Sequence, residues 1–166
     1  MGELTIRPQE RGRDAKAIAR INAEVFDGGT PAFQALREVL RDDLMSLVAE
    51  RDGEILGHAF FCPVTIDSNP PLAGMGLGEL AVRAHCQREG IGAALTRAGL
   101  AKLAARGCPY VIVVGVPEYY PRLGFEPGAA HGLRCQWQVP LESFMVHVLD
   151  PAAMAGVSGV ASYLDV

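Results

Sequence analysis

The run Gly78-Glu79-Leu80-Ala81-Val82-Arg83-Ala84-His85-Cys86-Gln87-Arg88-Glu89-Gly90-Ile91-Gly92-Ala93 reads as a strand that enters a tight, glycine-bearing turn and then opens a helix. The first amides of a helix have no acceptor within it, and the helix dipole adds partial positive charge at that end. A phosphate or pyrophosphate is therefore the natural occupant of such a turn. Gly90 and Gly92 keep side chains out of its way. The same glycines would also serve a helix that must start close against a sheet, and the spacing alone leaves both readings open. Other phosphate-binding patterns fit less well. The chain has no G-x-x-x-x-G-K-[ST], and this helix start lacks the three-glycine spacing of dinucleotide folds.

The elements that must position this turn follow from periodicity. Leu4 and Ile6 alternate before Pro8 as in a short strand, and Asp14 stands where it can cap a helix through Ile18, Ile21 and Val25. After Gly28-Gly29-Thr30-Pro31, the residues Phe33, Leu36, Val39 and Leu40 recur at helical spacing. Asp52-Gly53 between two apolar runs predicts a hairpin of strands over 44–50 and 55–66. Asp67 to Pro71 reads as a loop, and Met75 to Val82 as the next strand. Ile91 to Arg106 is the longest helix, closed by Gly107 and Pro109, and Tyr110 to Val114 is a β-branched run suited to a buried strand. Strand, helix, strand in that order makes a right-handed crossover with parallel strands. Leu133 to Val139 and Ser143 to Leu149 read as two last strands, and Asp150 onward as a peripheral tail. The domain is thus expected over 1–149 and the tail over 150–166.

Composition narrows the function. At 166 residues, 49% hydrophobic and 20% charged, the chain suits one folded domain and departs from the composition of disordered proteins. Its formal charge of −4 and scattered Lys and Arg argue against nucleic acid. A weakly acidic surface would favour a cationic acceptor such as an amine. The cysteines Cys62, Cys86, Cys108 and Cys135 form no C-x-x-C pair, His58, His131 and His147 have no metal-ligand spacing, and the N-terminus has no apolar signal stretch. Apolar runs are too short for a bilayer, the C-terminal one being broken by Asp150, Gly156 and Gly159. These features predict a cytoplasmic protein without metal or membrane partner. A strand edge at Phe144 to Leu149 is the expected place for a homodimer contact.

In this setting Gln87-x-x-Gly90-x-Gly92 resembles the Q/R-x-x-G-x-G/A acetyl-CoA signature of the GNAT superfamily of N-acetyltransferases. The order of elements resembles that family's over most of the chain, up to about residue 149. A second block, Pro117-Glu118-Tyr119-Tyr120-Pro121-Arg122-Leu123-Gly124-Phe125, is similar to the family's Y-x-x-x-G-F segment in the form found in a branch of small bacterial members. The resemblance implies a mixed α/β (α+β) fold whose mostly antiparallel sheet is splayed at a parallel pair, the fourth and fifth strands, and flanked by helices.

The resemblance also implies acetyl-CoA as co-substrate and roles for named residues. The pyrophosphate would lie on Gln87, Arg88, Glu89, Gly90, Ile91, Gly92 and Ala93, with Arg88, Arg97 and Lys102 as further basic candidates. A bulge in the signature strand would free Leu80, Ala81 and Val82 to pair with the pantetheine arm, and the Val82 amide would serve the developing oxyanion. Tyr120 would contact the cofactor and protonate the departing thiolate, a proton transfer that suits a phenol. Tyr119 is the fallback for that role and would otherwise pack beside it. Glu79 would take the amine's proton through water, with His85 as the alternative. Trp137 would line either the core or the acceptor pocket. A module that binds CoA without turnover is the competing reading.

Overall fold

The computed structural model describes every residue except Met1, Leu40 and Asp165, so the expected helical place of Leu40 lies outside the described residues. The chain forms two compact units, residues 1–61 with 78–99 and 166, and residues 62–77 with 100–165.

In the first unit β1 (Thr5–Pro8) pairs antiparallel with β2 (Met45–Arg51), and β2 with β3 (Glu54–Ile66). Asp52 and Gly53 both take left-handed backbones, φ 51° and 78°, which is the hairpin turn whose twist matches that of the strands. β4 (Leu72–Val82) neighbours β3, and its end is tied down by Arg83 N–H donating to the Leu56 carbonyl at 2.9 Å. Successive strand residues point to opposite faces. One face of β3 carries His58 and Phe60 and meets α1 (Ala15–Val25) and α2 (Pro31–Val39): Asn22 reaches His58, and Phe33 sets its ring edge on Phe60 at 6.4 Å. The apolar stripe of α1 that the spacing predicts, Ile18 and Ile21, packs with Val48, Ile55 and Ala81. The other face meets α3 (Ile91–Ala105), where Gly57 leaves room for Ile91 and Leu95. Burying each of those two side chains contributes roughly 2 kcal/mol.

Asp14 stands at the N-cap of α1 but makes no capping bond. Its carboxylate accepts instead from Arg7 Nη1 at 2.7 Å, Arg7 Nη2 at 3.0 Å and the Glu10 amide at 2.7 Å, because a guanidinium fork is a stronger partner than one helix amide. Behind α1 the Asn22 side-chain amide donates to His58 Nδ1 at 3.1 Å and to the Ile18 carbonyl at 3.0 Å. His58 Nε2–H therefore donates to Ser46 Oγ at 2.9 Å, whose hydroxyl donates to Gln9 Oε1 at 2.6 Å. Burial pushes the His58 pKa down to about 3, so the ring is neutral and works as a fixed link in this chain.

In the second unit the parallel pairing predicted by the strand–helix–strand order is present, with Met75 to Leu77 of β4 opposite Val111 to Val113 of β5 (Tyr110–Val114). β8 (Phe144–Val148) pairs antiparallel with β5, and β6 (Glu126–Pro127) with β8. The expected free edge at Phe144 to Leu149 is thus occupied by β6 at Met145 and Val146. The strand expected over Leu133 to Val139 is shorter, as β7 covers only Leu133–Cys135.

The stretch from Asp150, expected as a peripheral tail, is part of the fold. Asp150 caps α4 (Pro151–Met154) by accepting from the Ala152 and Ala153 amides at 3.1 and 3.2 Å. β9 (Gly159–Tyr163) then pairs antiparallel with Val64 to Ile66 of β3 and parallel with β7, burying Ala161 and Tyr163. The glycines that obscure this strand in the sequence serve its entry, where Gly156 and Gly159 both have positive φ. No helix is long and apolar enough to cross a membrane among the described residues.

Candidate active site

In the first unit β4 passes through Ala84–Cys86, a short 3-10 turn, into the start of α3. Arg88 and Gly90 take left-handed backbones, φ 67° and 86°, with Glu89 between them outside that region. Left-handed residues next to a helix start are the kind of backbone that builds an anion nest. The helix's own bonding begins with Ala94 N–H to the Gly90 carbonyl at 3.0 Å, leaving the amides of Ile91, Gly92 and Ala93 without an acceptor inside the helix. Ile91 fixes the turn through its buried side chain, while Gln87, Arg88, Glu89 and Gly90 are exposed and Gly92 and Ala93 half-buried.

Two side chains brace the turn. Gln87 Nε2 donates back to the Val82 carbonyl at 3.1 Å, closing the segment between strand and helix. Glu89 pairs with Arg51 at 3.6 Å. Gln87, expected at the ligand, thus spends its side-chain amide within the loop and leaves its backbone exposed at the turn.

Glu79 is 1% exposed and lies in a clasp with α2. Its carboxylate accepts from Arg37 Nε at 2.7 Å, from Arg37 Nη2 at 3.4 Å and from the Thr30 hydroxyl. Burial raises the carboxyl's pKa, the larger effect, while Thr30 and Arg37 pull it down. Gly78 faces α2 as well, since a Cβ there would meet the Phe33 ring. Of the residues that follow on β4, Ala81 is buried and Leu80 and Val82 are half-buried.

In the second unit Tyr120 opens a 3-10 turn, Tyr120–Leu123, closed by Gly124 at φ 89°. Its ring is 8% exposed and takes edge contacts from Tyr119 at 5.0 Å and Phe125 at 5.5 Å, while Gly115 is bare where a Cβ would strike it. Burial, with Tyr119 second, pushes its phenol above the ordinary tyrosine range, so it carries its proton throughout neutral pH. Arg122 lies over the Tyr119 ring at 5.9 Å.

Residues 42–127 match the family model described as the Acetyltransferase (GNAT) domain. The chain belongs to the GNAT acetyltransferase family. It is 36% identical over 154 residues to the uncharacterized N-acetyltransferase YhbS of Escherichia coli, covering 90% of each chain, and 33% identical over 136 residues to the uncharacterized N-acetyltransferase YjhQ of the same organism, covering 78% of this chain and 74% of that one. Its fold is similar to the crystal structure of E. coli YhbS in complex with CoA, with a TM-score of 0.86 and 33% identity over 98% of this chain and 91% of that one. A GNAT acetyltransferase from Brucella melitensis in complex with acetyl-CoA follows, with a TM-score of 0.75 and 29% identity over 98% and 97% of the two chains. The protein is therefore an acyltransferase of mixed α+β fold, with the parallel β4/β5 pair set in a mostly antiparallel sheet.

What the motif left out of this GNAT site is its support. Arg37 and Thr30 carry no motif, yet one signal was present: Arg37 follows Phe33 and Leu36 at the spacing that puts all three on the inward side of α2. A buried arginine at such a position requires a carboxylate, and Glu79 is that partner.

Proposed function

We propose that this GNAT chain transfers the acetyl group of acetyl-CoA to a primary amine by direct attack in a ternary complex, in the cytoplasm. The observation that carries the reading is the start of α3, where the Ile91, Gly92 and Ala93 amides lack intrahelical acceptors beside two left-handed residues. That arrangement suits the pyrophosphate of CoA. The relatives bound to CoA and acetyl-CoA support the same co-substrate.

In this reading Gln87 to Ala93 hold the pyrophosphate and Leu80 to Val82 offer backbone groups to the pantetheine arm. The Val82 amide meets the oxyanion as the thioester carbonyl becomes tetrahedral. Tyr120, neutral and held by its aromatic neighbours, gives its proton to the CoA thiolate as the carbon–sulfur bond breaks. Glu79, whose pKa burial raises, takes the proton of the attacking amine through water, since the carboxylate is itself shielded. Thr30 and Arg37 hold it in one orientation.

The second reading, a CoA-binding module without turnover, draws on the same clasp, because protonating Glu79 weakens its pair with Arg37. Turnover separates the two readings once binding is shown. For binding, thermal unfolding of the native chain and of Gly92→Asp is measured with and without acetyl-CoA. Asp in the first turn of a helix favours the fold, so the variant remains a usable control. At about 100 times the dissociation constant, ligand adds roughly 2.7 kcal/mol and lifts the native midpoint by about 5 to 10 °C. The shift is expected to vanish in Gly92→Asp, and an equal shift in both proteins would place the ligand elsewhere.

A further inference from the structure

Within the second unit two glycines of β4 admit tyrosine rings. A Cβ on Gly74 would collide with Tyr110, and one on Gly76 with Tyr163 and Val64. Each phenol ends on a β4 carbonyl: Tyr110 donates to Leu72 at 2.7 Å and Tyr163 to Leu77 at 2.9 Å. The two bonds are chemically alike, but their places differ. Leu72 opens β4, whereas Leu77 is the last β4 residue in parallel register with β5. The β4–β5 register ends there, and on β5 the Gly115 amide turns to the Ser143 carbonyl at 2.9 Å.

A buried carbonyl at the end of a ladder needs a donor. Tyr163 supplies it, and is itself well fixed. Its ring is 5% exposed and stacks on Trp137 at 5.3 Å, its amide donates to Gln136 Oε1, and β9 pairs it with Val64. Burial raises its phenol pKa, so it remains a donor.

We propose that Tyr163 is a positioning residue for acyl transfer: its hydroxyl fixes the Leu77 carbonyl at the point where β4 leaves β5, and so sets the backbone of the following residues, Leu80 to Val82, for acetyl-CoA. The inference rests on the reading of those residues as the pantetheine-pairing strand. It gives the C-terminal strand a function in the site.

The test compares Tyr163→Phe with Tyr110→Phe, each of which keeps its ring over a glycine and loses one phenol bond to β4. Thermal midpoints, acetyl-CoA Kd by calorimetry and acetyl-CoA KM are measured for both. Each variant is expected to lower the midpoint by a similar amount. Tyr163→Phe alone should raise Kd and KM for acetyl-CoA about fivefold or more, the scale of one buried hydrogen bond. Gly76→Ala, which pushes the Tyr163 ring off β4 from the opposite side, should show the same rise and decides the matter if Tyr163→Phe does not fold. Native affinity in Tyr163→Phe, or in Gly76→Ala, overturns the proposal alone. Absence of acetyl-CoA binding by the native chain overturns the proposal together with the functional reading beneath it.

Discussion

Replacing Tyr120 by Phe is expected to lower kcat by about a hundredfold or more while leaving the Kd for acetyl-CoA within about twofold of native. The ring contacts with Tyr119 and Phe125 and the fit against Gly115 do not involve the hydroxyl, so the variant retains the local packing. Only the proton donor is removed. Because burial holds the native phenol above the ordinary tyrosine range, Tyr120 remains protonated at neutral pH and its own titration does not limit the rate there. Steady-state kinetics with thiol release as the readout, beside calorimetric binding, checks both halves. A full kcat in Tyr120→Phe would assign the proton to another group, and a lost kcat with equally lost binding would reduce Tyr120 to packing.

The second large effect is expected at Arg37. Arg37→Met leaves the Glu79 carboxylate buried with only the Thr30 hydroxyl among the partners described for it, and breaking a buried pair from one side costs about 3 to 5 kcal/mol. In a chain of this size that corresponds to a midpoint lower by about 10 °C. The pH dependence has a definite sign. Burial, the dominant influence, already raises the folded-state pKa of Glu79 above its ordinary value of 4.5, and removing Arg37 removes a group that pulls it down. A carboxyl with a raised folded pKa favours folding most below its unfolded pKa, and the contribution is lost as pH rises through the folded pKa. The deficit of Arg37→Met against native should therefore be small near pH 4.5 and grow toward pH 8. Thermal melts across that range check it. A deficit independent of pH would show that Arg37 acts through packing and not through the Glu79 charge.

These two sites also show what a sequence reveals and what it withholds. Local rules carried the turn elements: Asp52-Gly53 encodes its hairpin because few other dipeptides tolerate two left-handed residues, and Gly90 marks the start of α3 for a related reason. The β-branched run at Tyr110 to Val114 announced a buried strand, and the strand–helix–strand order made it parallel. Long-range pairings had no such signature. Thr30 and Arg37 meet Glu79 only after α2 folds over β4, and Tyr163 meets Leu77 across 86 positions of sequence. β9 was hidden because glycines flank it and its partners, β3 and β7, are distant in the chain. Asp14 illustrates the competition behind such differences, since a local capping role was displaced by Arg7 arriving from β1.

The central claim, that acetyl-CoA is held at the start of α3, is tested most directly by amide hydrogen exchange read residue by residue with and without acetyl-CoA. Without ligand, Ile91, Gly92 and Ala93 have no acceptor within the helix and should exchange fast, as open first-turn amides do. Saturating acetyl-CoA is predicted to slow these three and the Val82 amide, while amides deep in α3 keep their rates. Saturable binding that leaves Ile91, Gly92 and Ala93 unchanged would contradict the account.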